Sequence, residues 1–267
     1  MSVISDYSDG VGSVSFTLRD SSGRVLASRG GDVVYYAAST IKLAVAMAVV
    51  EEVEAGGLTW DRTVPSTHSF VSARGGVFSL ADDPDEMDTE LPPDGTPISV
   101  RDLLEAMIDR SSNEATDMLL ALVGIPRVQR LCREQGMRLL HIERQIGDLA
   151  ARDAGQPNEV TSDELSLLML RAVGRGWGAE RGGIAFLRHA LSRQRFPVIA
   201  DVLPVGVPWG SKSGWVTGIN HDVAFIGDPD ADGLLVLAVC TRGYEEQPAH
   251  EVIRAVAVAA LAGRLAS

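Results

Sequence analysis

Lysine, cysteine, positive charge and long apolar runs are all scarce in this chain, and each scarcity excludes something. Of its 24 basic residues only two are lysines, Lys42 and Lys212, which leaves 22 arginines (24 less two). Arginine stays charged and suits surface and ion-pair work, whereas a desolvated lysine can give up its proton. A chain this poor in lysine is expected to place its two where an amine is chemically required. The two cysteines, Cys132 and Cys240, lie far apart and outside any C-x-x-C or metal-ligand spacing, which favours reduced core thiols over a disulfide or a metal site. With 36 acidic residues the net charge is −12, which argues against binding nucleic acid or an anionic membrane surface. The apolar stretches Leu43–Val50 and Ala255–Gly263 fall far short of the ~18 residues that span a bilayer. The opening "MSVISDYSDG" has neither a cationic n-region nor an apolar h-region. A cytoplasmic protein is therefore expected, with an exported form left open. The expected partner is a small molecule, with no cofactor and no metal; the oligomeric state is not legible.

What the chain does have is ample material for a core. Its 267 residues, 45% hydrophobic and 22% charged, fit one large soluble domain or two lobes sharing an interior. "SVSFTLR" at 13–19 alternates polar and apolar, and "DSSG" turns it into "RVLAS", the pattern of a hairpin. Three further strands are predicted over Val205–Lys212, Ile219–Ile226 and Leu234–Thr241. Between the two groups lies a long helical region, with helices starting near Ser99, Ser111 and Thr161. Each start shows Ser or Thr followed three residues later by Asp or Glu, the capping-box pattern. A last helix is predicted from Pro248 to about Leu265. The economical packing is an α/β (α+β) fold: a five-stranded antiparallel sheet with the terminal helix on one face and a helical lobe on the other. The sheet lobe is assigned to 1–38 and 195–267, the helical lobe to 39–194.

Three short stretches carry chemistry. In "STIKLAVAMAVV", Ser39 and Lys42 are i and i+3 on one helix face, at the mouth of a helix apolar on every side. The helix N-terminus favours developing negative charge, and a desolvated lysine can take the serine proton. The plainer alternative is a capped helix whose lysine snorkels to its mouth. In "GSKSG", Lys212, Ser213 and Gly214 supply a cation, a hydroxyl and a point of close backbone approach, at the end of a strand that Pro208 marks as an edge. In "SSNEA", Ser111 and Glu114 by themselves read as a helix cap, and Asn113 adds an amide.

Together, "STIK" at 39–42, "SSN" at 111–113 and "KSG" at 212–214 resemble the motif set S-x-x-K, S-D-N and K-T-G of the class A β-lactamases and penicillin-binding proteins. The resemblance extends through "LPPDGTPISVRDLLEAMIDRSSNEATDMLL" and "NHDVAFI", and implies the β-lactamase/transpeptidase-like fold. It implies Ser39 as nucleophile, Lys42 as general base, and Ser111 as proton relay to the leaving nitrogen. Asn113 would orient the substrate amide, Lys212 and Ser213 hold its carboxylate, and the N–H groups of Ser39 and Trp215 form the oxyanion hole. Ser112 and Ser213 replace the aspartate and threonine of the motifs. The largest departure follows Arg144: where class A enzymes carry a glutamate that activates the deacylating water, this chain has Ile146. Asp148, and after it Asp153, is the nearest replacement carboxylate. The expected function is a serine hydrolase acting on a β-lactam or related amide or ester through an acyl-Ser39 intermediate. A penicillin-recognising sensor that is not turned over, or a D,D-peptidase, are the alternatives. The acidic loop "ADDPDEMDTEL" at 81–91 is expected to be solvated, and His221 to be a strand-end residue.

Overall fold

The computed structural model describes residues 2–83, 87–174, 177, 179 and 181–264. Its centre is a five-stranded antiparallel sheet formed from both ends of the chain. After a small hairpin, β1 (Ile4–Ser5) and β2 (Ser8–Asp9), come β3 (Ser13–Asp20) and β4 (Val25–Arg29). The others are β5 (Trp209–Val216), β6 (Ile219–Ile226) and β7 (Leu235–Arg242), in the spatial order β5-β6-β7-β3-β4. β6 is buried at every position and β7 at all but the last because both faces are covered, and side chains alternate between the two. Val223, Phe225, Val236 and Ala238 join the larger core; Ala224, Ile226, Leu235 and Leu237 join a smaller one with Ile253, Ala257 and Leu261.

The longer helices are α1 (Lys42–Glu54), α2 (Val100–Asp109), α3 (Asn113–Val123), α4 (Ile125–Glu134), α5 (Ser162–Val173), α6 (Arg181–Ser192) and α7 (Glu246–Leu261). Ser99 caps α2 by accepting the Asp102 N–H, and Thr161 caps α5 by accepting that of Glu164, as the capping pattern predicts. α1 is enclosed by α2, α3, α4, α5 and α6, so its run from Lys42 to Val50 is wholly buried. α7 covers the outer face of the sheet. α5 and α6, which fall inside the expected helical lobe, also pack on the sheet, α5 against β3, β6 and β7 and α6 against β5. Among the described residues no helix is long and apolar enough to cross a membrane.

Three boundaries differ from expectation. The strand expected at Val205–Lys212 is Trp209–Val216. Val207 donates to the Pro204 carbonyl around Gly206 at φ +91°, so 204–207 is a turn, and full pairing with β6 then sets the strand. Lys212 therefore sits in mid-strand, although β5 is an edge as Pro208 suggested. His221 is not a strand end: it is buried within β6, where Nε2 lies 2.9 Å from the Tyr36 carbonyl oxygen. α7 begins at Glu246, two residues early, and the expected end at Leu265 lies outside the described residues.

Candidate active site

A 3₁₀ turn, Ala38–Ile41, leads into α1 and carries Ser39. Ala38 adopts φ +46°, a conformation a non-glycine residue holds only where its surroundings impose it. One imposing neighbour is β5. A Cβ built on Gly214 would lie 2.8 Å from the Ser39 nitrogen and 2.9 Å from that of Thr40, so only glycine lets the strand run this close to the turn that carries Ser39.

The two lysines converge on one serine. Lys42 Nζ donates to the Ser111 carbonyl oxygen and to Asn113 Oδ1, each at 2.6 Å, and lies 3.2 Å from Ser111 Oγ. Lys212 Nζ lies 3.0 Å from the same Oγ and 2.7 Å from the Ser213 carbonyl oxygen. Both lysines are fully buried. Burial, reinforced by Lys42, pushes the Lys212 amine well below the usual lysine range. Ser111 itself sits at φ +61° and does not cap α3. Ser112 does, accepting the Ala115 N–H, so the cap role falls to the residue that replaces the motif aspartate. Ser111 is thereby left free of local duty to face the amines.

The cleft that holds Ser39, Ser111 and Asn113 has a volume of about 1100 Å³. Trp215 is 43% exposed at its mouth and meets Phe196 edge-to-face, with ring centroids 5.1 Å apart. The Ser213 hydroxyl is buried and lacks a hydrogen-bond partner. The acidic loop is more than solvated. Asp88 pairs with Arg110 at 3.0 Å, its N–H donates to Glu114, and the pair with Arg110 helps hold its carboxyl below the usual range. Glu90 pairs with Arg195, and Asp82 and Asp83 line the cleft; Asp85 and Glu86 lie outside the described residues.

Ile146 also lines the cleft. Its N–H donates to Asp117 Oδ1 at 2.9 Å from one turn beyond Asn113 on α3. Asp117 Oδ2 has no hydrogen-bond partner, and complete burial pushes this carboxyl well above the ordinary carboxylate range. Asp148 is buried and caps the short helix Leu149–Asp153. Its Oδ1 accepts from Ser72 Oγ and the Ala151 N–H, its Oδ2 from the Ala73 N–H. Asp153 lies out on the surface, paired with Arg152. Asp117, Phe196 and Tyr7 were not legible as site residues, since none belongs to a short motif and each is brought in by a different element. Among the described residues no group of three or more His, Cys, Asp or Glu is placed to hold a metal ion.

A buried amine pair around the Ser111 hydroxyl thus shares one cleft with Ser39 on the turn that initiates α1. Comparison with known proteins supplies the class. The model of the Beta-lactamase enzyme family matches residues 2–263, and the chain belongs to that family. A β-lactamase of Streptomyces fradiae is 26% identical over 261 residues, covering 92% of this chain and 79% of the relative. The crystal structure of a β-lactamase from Sphaerobacter thermophilus is likewise 26% identical, with a TM-score of 0.79 over 95% of this chain and 91% of that one. A variant of PBP-A, solved as an acyl-enzyme complex with penicillin G, shares the fold at 22% identity and a TM-score of 0.74, covering 92% and 88%.

Proposed function

We propose that the protein is a serine hydrolase that opens a β-lactam, or a related amide or ester, through an acyl-Ser39 intermediate that it releases slowly. Family membership and the curated β-lactamase relative support a serine hydrolase acting on β-lactams. The observation that carries the acylation chemistry is the placement of Ser111 Oγ, 3.2 Å from Lys42 Nζ and 3.0 Å from Lys212 Nζ. In its neutral form Lys42 has two N–H bonds, which the Ser111 carbonyl and Asn113 Oδ1 accept, and one lone pair left for a hydroxyl proton. Ser39 Oγ attacks the carbonyl carbon while Lys42 takes its proton. The tetrahedral oxyanion rests on the N–H groups of Ser39 and Trp215. The C–N bond then breaks, and Ser111 passes a proton to the leaving nitrogen, replenished from the amines beside it. Lys212 and the unpartnered Ser213 hydroxyl take the substrate carboxylate.

Release of the acyl group needs a water held and deprotonated at the ester. Ile146 can do neither. Asp148 already accepts three hydrogen bonds that fasten its loop to residues 72–73, so we assign it to positioning the loop rather than to activating water. A missing general base typically costs ~10²–10⁴-fold. The same observation favours the second reading, a penicillin-recognising protein that is acylated and not turned over. Intact mass spectrometry beside rapid-mixing kinetics with a chromogenic β-lactam separates them. The expected result is a stoichiometric burst, an adduct on Ser39 and slow turnover. Ser39→Ala should abolish the adduct and Lys42→Arg nearly so, since arginine keeps the charge but cannot accept the proton. An adduct in Ser39→Ala would remove the nucleophile assignment. Fast steady hydrolysis without a burst or adduct would mean that the loop holds a working base.

A further inference from the structure

The first hairpin of the chain spans the cleft from one lobe to the other. On the sheet side it hangs from the end of β7, where the Val3 N–H donates to the Gly243 carbonyl at 3.1 Å and Ser2 bridges Tyr244. It also lies against the β5–β6 turn, so closely that a Cβ on Gly218 would stand 3.0 Å from that of Ser8. On the helical side it is tied to the loop that carries Ile146. Asp6 pairs with Arg152 at 2.7 Å, and the Tyr7 hydroxyl accepts from Arg144 Nη2 at 3.2 Å. The Tyr7 ring stacks on Tyr36, with centroids 3.7 Å apart and planes within 10°. The Arg144 guanidinium lies 5.5 Å from the same Tyr36 ring. Ring face and hydroxyl of Tyr7 are both engaged, so the side chain is a fixed wall. That wall belongs to the cleft: Tyr7 and Tyr36 line the same cavity as Ser39, Ile146 and Val216.

A lactam carbonyl carbon has two substituents. The ring nitrogen leads toward the carboxylate, which Lys212 and Ser213 receive, so the acyl group must extend the other way. Val216, Thr217, Ile146 and the hairpin residues Ser5, Asp6 and Tyr7 line the same cleft as Ser39 and are available to bound it. We propose that the Ile4–Asp9 hairpin is a strap across the acyl end of the cleft, and that Tyr7 sets the largest acyl group admitted. The substrates are then acyl donors with compact acyl groups. This rests on the acyl-Ser39 reading above.

The test compares two penicillins identical except for the acyl amide, one bearing an acetyl-sized group and one a bulky diaryl group, by the rate of Ser39 acylation in intact mass. The wild type should favour the compact one. Tyr7→Ala should raise the bulky-to-compact ratio by about tenfold or more, the scale on which apolar pockets sort substrates by size. Tyr7→Trp should lower the ratio, and Tyr7→Phe, which keeps the stack but not the hydroxyl, should leave it as in the wild type. If Tyr7→Ala does not fold, the Trp and Phe variants carry the comparison. A ratio unmoved by Ala and Trp, or equal losses on both penicillins, would overturn the strap while leaving the acyl-Ser39 reading in place. Failure of both penicillins to acylate the wild type would remove that reading, and the strap with it.

Discussion

Lysine is expensive to bury, and this chain buries both of its lysines in one place. Each works through acceptors rather than by lying on the surface: Lys42 through the Ser111 carbonyl and Asn113, Lys212 through the Ser213 carbonyl, with Ser111 Oγ between them. Because burial and Lys42 together disfavour the charge on Lys212, an incoming carboxylate would favour the charged amine. Lys212→Ala should therefore raise KM for carboxylate-bearing β-lactams by roughly 10–100-fold, the scale of one charged hydrogen bond, and affect neutral esters far less. Steady-state kinetics on a matched acid and methyl ester checks this, and equal losses on both would point to proton relay instead. The same scale explains a misleading local pattern. Ser111 followed by Glu114 has the spacing of a capping box, yet Ser112 makes the cap, because the backbone at Ser111 turns into the left-handed region and aims its hydroxyl at the amines.

At the scale of elements, the site is the seam between the edge strand β5 and the turn that starts α1. The seam holds only because Gly214 has no side chain. In Gly214→Ala the new Cβ meets backbone nitrogens of Ser39 and Thr40, which cannot swing aside as a long side chain could. The strand should back away while the rest of the sheet keeps its pairing. Circular dichroism should be unchanged, whereas acylation of Ser39 should fall by ~10²-fold, as small misplacements of reacting groups typically cost. Labelling at the wild-type rate would mean that β5 does not position the turn. The loop opposite is held by a different device. Asp117 grips the Ile146 N–H from α3, and Asp148 grips Ser72 and Ala73, so two buried carboxylates fix the wall that faces Ser39.

For the whole molecule, β6 places two titrating groups side by side with opposite effects on stability. Burial lowers His221 to about 4, whereas burial raises Asp222 to about 6 despite the Val198 and Ile199 N–H groups and Lys212 nearby. The histidine stabilises the fold above its unfolded value near 6.5, an advantage lost as pH falls toward 4. The aspartate, protonated in the fold, contributes most below about 4, and that contribution is lost as pH rises through 6. Each shift of about two units corresponds to roughly 3 kcal/mol, so the two slopes largely cancel between pH 4 and 6.5. Asp222→Asn removes one of them. Thermal melts should show the variant's stability rising relative to the wild type's as pH goes from 4 to 6. Parallel curves for the two proteins would contradict the assignment.

Much of this protein is written locally. Alternation of apolar residues in "SVSFTLR", the apolar runs "VAFI" of β6 and "LVLAVC" of β7, and the caps at Ser99 and Thr161 depend on neighbours within a few positions, and the sequence alone determined those elements. It also determined which residue types the chemistry would use, because a buried amine, a hydroxyl and a strand glycine are unusual enough at their spacings to stand out. Tertiary structure decided the rest. Lys42, Ser111 and Lys212 are separated by 69 and 101 residues, and only the packing of α1, α3 and β5 brings the two amines onto one serine oxygen. Full pairing with β6 moved β5 four residues along and put Lys212 in its middle. The two-residue strands of the first hairpin have no periodicity to read, and they become a wall only because Gly243, Arg144 and Tyr36 are there to hold them. Asp148 looked like a spare carboxylate until the fold supplied three donors for it. Periodicity and capping act over one turn or one pleat, whereas a site is made by contacts between distant segments, and those are set by how the segments share a core.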